Sequence, residues 1–243
     1  EIQQKNNIEI YKESELSLYH INELGVNNIF IATGSSWRRD GVGRSQRKGI
    51  AELENIRVLT PVEAIRNQSS IEEPIVIYDD EQGYLAGVIA DHMSAQGQAI
   101  TFVTPASVVS PWTESTLEQK RVQKALLNQE VKIIPNKIIS HANSDNLEAR
   151  CIYTNKILEI ACKTLILVTE RRPNSTLYEQ LIKQEENLKS TTTKNHIEAI
   201  GDAMAPGLIA DAIFSGHLAA ENFETPEIEI DRAMYRREMP SLK

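Results

Sequence analysis

Two short runs carry the residue types that could hold a nucleotide. One is Glu198-Ala199-Ile200-Gly201-Asp202-Ala203-Met204-Ala205-Pro206-Gly207-Leu208-Ile209-Ala210-Asp211, in which an apolar stretch ends in Gly-Asp, a Pro-Gly turn follows and a helical pattern begins. An aspartate at such a strand end can accept hydrogen bonds from sugar or ribityl hydroxyls. The first turn of a helix presents unpaired N–H groups and the positive end of its dipole, which suits an anionic group. Asp202 is therefore the candidate hydroxyl acceptor, Gly201 the residue that lets backbone approach a ligand, and Leu208 and Ile209 the candidate N–H donors. The other run is Asn28-Ile29-Phe30-Ile31-Ala32-Thr33-Gly34-Ser35, a buried strand ending in a small, tight turn. Thr33, Gly34 and Ser35 are its candidate pocket residues. Each has a plain alternative: Thr33 and Gly34 turning the chain, Asp202 capping the last helix.

A third run bears on what the chain does not bind. A dinucleotide-binding strand-helix-strand unit places Gly-x-Gly-x-x-Gly between its first strand and its helix, so that the pyrophosphate can sit on the helix N-terminus. Here that span reads Tyr78-Asp79-Asp80-Glu81-Gln82-Gly83-Tyr84-Leu85-Ala86-Gly87. With Tyr78 at the first glycine position and Asp80 at the second, only Gly83 is kept. Three carboxylates would crowd the pyrophosphate. Like charges about 4 Å apart repel by about 4 kcal/mol at an effective dielectric of 20. NAD(P) is not expected to bind.

The elements that must position these runs follow from periodicity. Residues 8–11 are expected as a short strand and 15–24 as a helix closed by Gly25. Residues 36–49 are expected as a polar loop over a ligand. Residues 57–59 read as a strand leading into a Thr-capped helix with Pro61 at its first position. The polar stretch 67–73 marks a linker. From Pro74, Ile75-Val76-Ile77-Tyr78 is a buried strand, 84–96 a helix stopping at Gly97, and 99–104 the next strand, which together make a βαβ unit of a parallel sheet. A second helix (115–128) and a third strand (131–134) follow, then a hairpin (147–153 with 156–162, turning near Asn155) and a strand at 165–168. A helix beyond Pro173 leads into the charged, Thr-rich stretch 184–195, expected to be mobile.

At 243 residues, 41% hydrophobic and 25% charged, the chain has an ordinary globular composition. Its net charge of −8 argues against nucleic acid and against an anionic membrane. No apolar run approaches the ~18 residues of a membrane span, and no signal peptide opens the chain. Cys151 and Cys162 are the two cysteines. In the expected hairpin Cys151 faces Glu159, so no disulfide is anticipated, and their spacing is no metal motif. A reducing, cytoplasmic setting is inferred. The chain opens on Glu1-Ile2-Gln3 without a Met, as if inside a domain, and a fragment is expected.

The Ala-Thr-Gly and Gly-Asp runs, with Thr164-Leu165-Ile166-Leu167-Val168-Thr169-Glu170-Arg171-Arg172-Pro173-Asn174 between them, resemble the downstream signatures of two-domain flavoproteins of the disulfide-reductase type. A closer resemblance rests on Ile77-Tyr78-Asp79-Asp80 with Gly83-Tyr84-Leu85-Ala86-Gly87, on Val103-Thr104-Pro105, and on Ser110-Pro111-Trp112-Thr113-Glu114-Ser115-Thr116-Leu117. Ala32-Thr33-Gly34-Ser35-Ser36-Trp37-Arg38-Arg39-Asp40-Gly41 and the Gly201–Ala210 run extend it across nearly the whole chain. These look like the C-terminal region of the trimethylamine dehydrogenase family, in particular its dimethylglycine and N-methylproline demethylase branch among the NADH:flavin oxidoreductases.

The resemblance implies an α/β fold, with a Rossmann-like three-layer βαβ domain (71–169, NAD(P)-binding-like) inserted in part of an FAD-binding-like domain (1–70 and 170–225). Residues 226–243 would form a C-terminal arm. It implies FAD or ADP in an incomplete site lined by Thr33, Gly34, Ser35, Gly201, Asp202, Leu208 and Ile209, without catalytic residues. FMN and a [4Fe-4S] cluster would belong to a barrel elsewhere in the same polypeptide. An electron-transfer flavoprotein and a homo-oligomeric parent are the implied partners. The competing readings are a non-catalytic docking module with an acidic Asp79-Asp80-Glu81 rim, and a working NAD(P)H reductase.

Overall fold

The computed structural model describes residues 5–66, 71–187 and 196–223. The chain divides into two units, Glu1–Ser35 with Pro173–Lys243, and Ser36–Arg172. The first opens with helix α1 (Leu18–Leu24) and strand β1 (Asn28–Ile31). The chain leaves it through β2 (Ser35–Trp37). The second unit then carries β3 (Arg57–Leu59), α2 (Pro61–Arg66), β4 (Ile75–Asp79), α3 (Leu85–Ala95), β5 (Ile100–Val103), α4 (Gln119–Asn128), β6 (Lys132–Ile134), β7 (Lys137–Ala142), β8 (Asn146–Cys151), β9 (Ile157–Ala161) and β10 (Thr164–Val168). A return strand, β11 (Arg171–Pro173), pairs with β2. Helix α5 (Thr176–Asn187), β12 (His196–Ala199) and α6 (Ile209–Asn222) complete the first unit.

In the second unit, β3-β10-β4-β5-β6 form one parallel sheet. Parallel strands covered on both faces read as continuous apolar runs, and β4 shows why. Ile75 and Ile77 face a core built with Ala64 of α2, Ile89 and Met93 of α3, and Val122 and Leu126 of α4. Val76 and Tyr78 face a second core built with Ile139 of β7, Leu147 of β8 and Ile160 of β9. All four are at most 1% exposed, and burying each of the three aliphatic side chains stabilises by about 1.5–3 kcal/mol. The three layers are thus helices, the parallel sheet, and an antiparallel sheet β7-β8-β9. Thr60 caps α2 as expected: its Oγ1 accepts the Glu63 N–H, and Glu63 Oε2 accepts the Thr60 N–H at 2.8 Å.

Several expectations need correcting. The sequence pattern does not show strand β7; its pairing with β8 slips between Ile139 and His141, which breaks the two-residue period that would reveal it. The β8–β9 hairpin forms, but Glu159 pairs with Glu148, and the Cys151 N–H donates to Lys156 O at 2.9 Å. Residues 152–156, with Asn155 at φ 57°, make a longer connection than a tight turn, so the register moves. Residues 8–11 form no strand: no described strand pairs with them, and Ile8, Ile10 and Tyr11 are exposed. The expected linker at 67–73 lies partly outside the described residues, and the chain enters the second unit at Ser36, because β3 joins β10 in its sheet. The stretch expected to be mobile begins as helix through Asn187; its residues 188–195 and the C-terminal arm lie outside the described residues.

In the first unit β1 and β12 pair in parallel, Asn28 with His196 through Ile31 with Ala199. Ile29 and Ile31 pack with Ile21, Leu181 and Ala203. On the other face Phe30, His196 and Phe223 place their rings 5.4–5.6 Å apart. Among the described residues no helix is long and apolar enough to cross a membrane.

Candidate functional site

The parallel register of β1 with β12 carries both chains out at the same end of the sheet, so their following turns meet. The Ile200 N–H donates to Ile31 O at 2.9 Å, one step past the ladder. Ser35 Oγ then donates to Asp202 Oδ2 at 2.8 Å, across 167 residues of sequence. The other carboxylate oxygen, Oδ1, accepts the Gly207 N–H at 3.1 Å. Gly34 and Gly201 have φ of 73° and 57°, a left-handed backbone that glycine adopts without steric cost. Thr33, Gly34, Ser35, Gly201 and Asp202 therefore stand together, Thr33 exposed and the others half-buried.

The helix start is organised differently from expectation. Leu208 is the N-cap of α6, and its N–H donates to Asp211 Oδ2 at 2.7 Å. The helix is thus capped by Asp211, not by Asp202, and the Leu208 N–H serves its own helix. Ile209 is the first helical residue, with a side chain 76% exposed. Three residues without an assigned role complete the geometry. Asn174 donates its side-chain amide to Thr33 O at 3.0 Å and its N–H to Gly34 O at 2.9 Å, while Thr33 Oγ1 donates to Asn174 O at 2.6 Å. Ser215 Oγ accepts the Gly201 N–H at 2.9 Å, and Asp211 makes the cap. Asn174 stands in the Arg172-Pro173-Asn174 run; Ser215 gave no sequence signal beyond being a small polar residue in the first half of α6.

Beside β1 runs a groove of about 830 Å³ lined by six consecutive residues, Asn28 to Thr33, so that both faces of the strand reach it. It follows the edge of β1 opposite β12, which has no strand partner among the described residues.

In the second unit the turn after β4 is closed upon itself. Asp80 and Glu81 N–H both donate to Val168 O, at 2.9 and 3.0 Å. The Gln82 N–H goes to Asp79 Oδ1 at 2.8 Å and the Gly83 N–H to Glu81 Oε2 at 3.1 Å. The expected rim of three carboxylates is not there: Asp79 and Asp80 are fully buried and only Glu81 is partly exposed. Burial of charge requires partners, and Asp80 finds them in the 36–49 loop. Ser45 N–H lies 2.9 and 3.1 Å from its two oxygens and Gln46 N–H 3.3 Å from Oδ2. Burial raises the Asp80 pKa, and these hydrogen bonds work against the rise. Burial raises Asp79 well above the usual carboxylate range, and its Oδ2 has no partner among the described residues.

Elsewhere, Trp37 packs against the helix-side core with Arg171 5.3 Å from its ring, and Arg44 lies 5.0 Å over the exposed Trp112. Cys151 and Cys162 are free thiols at opposite ends of the β8–β9 hairpin. Among the described residues no group of three His, Cys, Asp or Glu could hold a metal ion.

Residues 59–160 match the family model of the OYE-like second alpha/beta domain. The chain is 25% identical to dimethylamine dehydrogenase of Hyphomicrobium sp. (strain x), over 93% of its own length and 33% of the relative's. Histamine dehydrogenase from Rhizobium sp. 4-9 superposes with a TM-score of 0.85 at 33% identity, covering 93% of this chain and 35% of that one. The 6-hydroxypseudooxynicotine amine oxidase from Pseudomonas geniculata N1 gives 0.83 at 28% identity, covering 92% and 33%. Thioredoxin reductase of Lactococcus lactis, at 17% identity and a TM-score of 0.57 over 80% of this chain and 64% of that one, shares the fold alone. The chain spans about a third of the length of the amine dehydrogenases it matches. It is a region homologous to the C-terminal part of the dimethylamine and histamine dehydrogenases, enzymes of the trimethylamine dehydrogenase family.

Proposed function

We propose that this chain is the nucleotide-binding region of a flavin- and iron-sulfur-dependent N-methyl-amine dehydrogenase, taking FAD or ADP in its first unit. The observation that carries the reading is the hydrogen bond from Ser35 to Asp202, which joins the two small-residue turns at one end of the β1–β12 pair. The residues present fit a sugar hydroxyl. Ser35 and Gly207 orient the Asp202 carboxylate, an acceptor of the kind a sugar hydroxyl needs. Gly201 keeps a bare Cα beside it. The Leu208 N–H fits less well, being engaged by Asp211; Ile209 is the donor the reading retains at the helix start.

Parallel strands rarely stand as an exposed pair. The reading therefore assigns the groove along β1 to a further strand of the same parent polypeptide, which would complete the site. The family resemblance adds FMN and a [4Fe-4S] cluster in the barrel part of the parent, a homo-oligomeric parent, and an electron-transfer flavoprotein as acceptor. Hydride abstraction from an N-methyl group would belong to the FMN there. This chain contributes binding and orientation. NAD(P) is not assigned to the second unit, since the N–H groups of residues 80–83, which would have to face a pyrophosphate, all donate to acceptors of the chain itself.

Titration calorimetry of the parent polypeptide with ADP tests the reading. Loss of one hydrogen bond to a charged group costs about 1.5–3 kcal/mol, so Asp202→Ala should weaken ADP by roughly 10- to 150-fold, with Ser35→Ala weakening it less. ADP binding of equal strength in the Asp202 variant would overturn the assignment, as would a parent that binds neither ADP nor FAD.

A further inference from the structure

The ligand crevice of an open parallel sheet lies outside the carboxyl ends of its strands, where strand order reverses. In the second unit the chain runs outward from β4 to β5 and β6, then returns to place β10 on the other side of β4. The reversal is at β4, and the turn that follows it is residues 80–84. A segment of the preceding loop lies directly on that turn. We propose that residues 43–46 are a strap that keeps this crevice closed, with Asp80 as the residue that holds it, so that the second unit refuses dinucleotides because its site is filled from within.

A set of contacts defines the strap. Its backbone N–H groups at Ser45 and Gln46 converge on the Asp80 carboxylate. Successive backbone N–H groups of this kind make an anion-binding concavity, and here the anion is a buried side chain of the protein. Gly43 lets the strap approach: a Cβ there would lie 2.4 Å from Asp80 Oδ2. The Gly43 N–H donates to Gln46 O at 2.9 Å, folding the strap into a compact turn, and the Gln46 side chain is buried beneath it. Arg44 reaches over the Trp112 ring, and the Trp112 N–H donates to Gln82 O at 3.3 Å. The strap thereby bridges the turn after β4 and the segment after β5. Exclusion is then a matter of occupancy, and repulsion among surface carboxylates has no part in it.

Amide hydrogen exchange on the parent polypeptide reads the strap directly. In the wild type Ser45 and Gln46 should be protected. Asp80→Ala should speed their exchange at least tenfold while the amides of β4 stay protected. Gly43→Ala, which leaves Asp80 in place, should do the same by displacing the strap, and it serves where the Asp80 variant fails to fold. With Asp80 gone, added inorganic pyrophosphate should occupy the freed N–H groups and slow their exchange again. Fast exchange at Ser45 and Gln46 in the wild type, or wild-type rates in both variants, would overturn the proposal. ADP affinity governed by Asp202 should not change in either variant, so this outcome and that of the first unit are read separately.

Discussion

Gly87 offers a test of how tightly the helix layer of the second unit is packed. It is the third residue of α3, and a Cβ added to it would lie 2.5 Å from Val122 Cγ1 of α4 and 2.9 Å from Ser110 Oγ. Carbon atoms in contact sit about 3.5–4.0 Å apart, so Gly87→Ala requires roughly an ångström of room. Val122 is 6% exposed and β-branched, with one strongly preferred rotamer in a helix; it cannot swing aside, and the helices must part. Overpacking of this kind costs about 1–3 kcal/mol. Replacing glycine within a helix returns about 0.5–1 kcal/mol. The net expectation is a loss of about 1 kcal/mol, measured by urea unfolding followed through tryptophan fluorescence. The sharper measurement is the cycle with Val122→Ala, which removes the obstructing methyl. In that background Gly87→Ala should become neutral or stabilising by about 0.5–1 kcal/mol, a coupling of at least about 1 kcal/mol. If the two substitutions instead add within about 0.5 kcal/mol, as independent sites do, the close approach of α3 and α4 is not what requires this glycine.

Two further outcomes follow from titrating groups. Hydrogen bonding from the Thr154 hydroxyl, then from backbone N–H groups, brings the Cys151 thiol down to about 7, while burial pushes Cys162 up to about 12. Alkylation of the folded protein should modify Cys151 alone with a midpoint near pH 7, and Thr154→Val should move that midpoint upward; equal labelling of both thiols would refute the assignment. Asp79 and Asp40 should give opposite slopes when stability is measured against pH. The Arg38 guanidinium holds Asp40 below the usual carboxylate range, so its stabilisation is present above the unfolded pKa and lost as pH falls through the folded one. Burial holds Asp79 above that range, so the wild type loses stability as pH rises from the unfolded value through the raised one. Asp79→Asn should flatten this second limb and Asp40→Asn the first; a variant profile parallel to the wild type would count against that group's contribution.

How far the sequence discloses this molecule depends on whether the controlling interaction is local. The β4–α3–β5 unit is legible because its apolar runs and the Gly97 stop need no distant partner to be read, and the Thr60 cap because its Glu63 is three residues away. Strand β7 escapes because Ser140 and His141 interrupt the pattern at a bulge. The Cys151 register escapes because the left-handed Asn155 sits in a connection of several residues, whose length no alternation reveals. Convergence of Thr33 to Ser35 on Gly201-Asp202 is legible only by resemblance, since nothing local in either run predicts parallel pairing across 167 residues. The acidic turn is the instructive case. A run of Asp-Asp-Glu reads as a solvated rim because buried charge is costly, and that cost is the reason a loop with exposed N–H groups and a glycine at position 43 was required to cover it. The sequence places the loop and the acids 35 residues apart, with each intelligible as surface on its own. Their mutual burial follows only when β4 and the 36–49 segment are brought to the same end of the sheet. Asp80 is then not an ornament of a lost site but the reason the second unit is closed at its carboxyl edge.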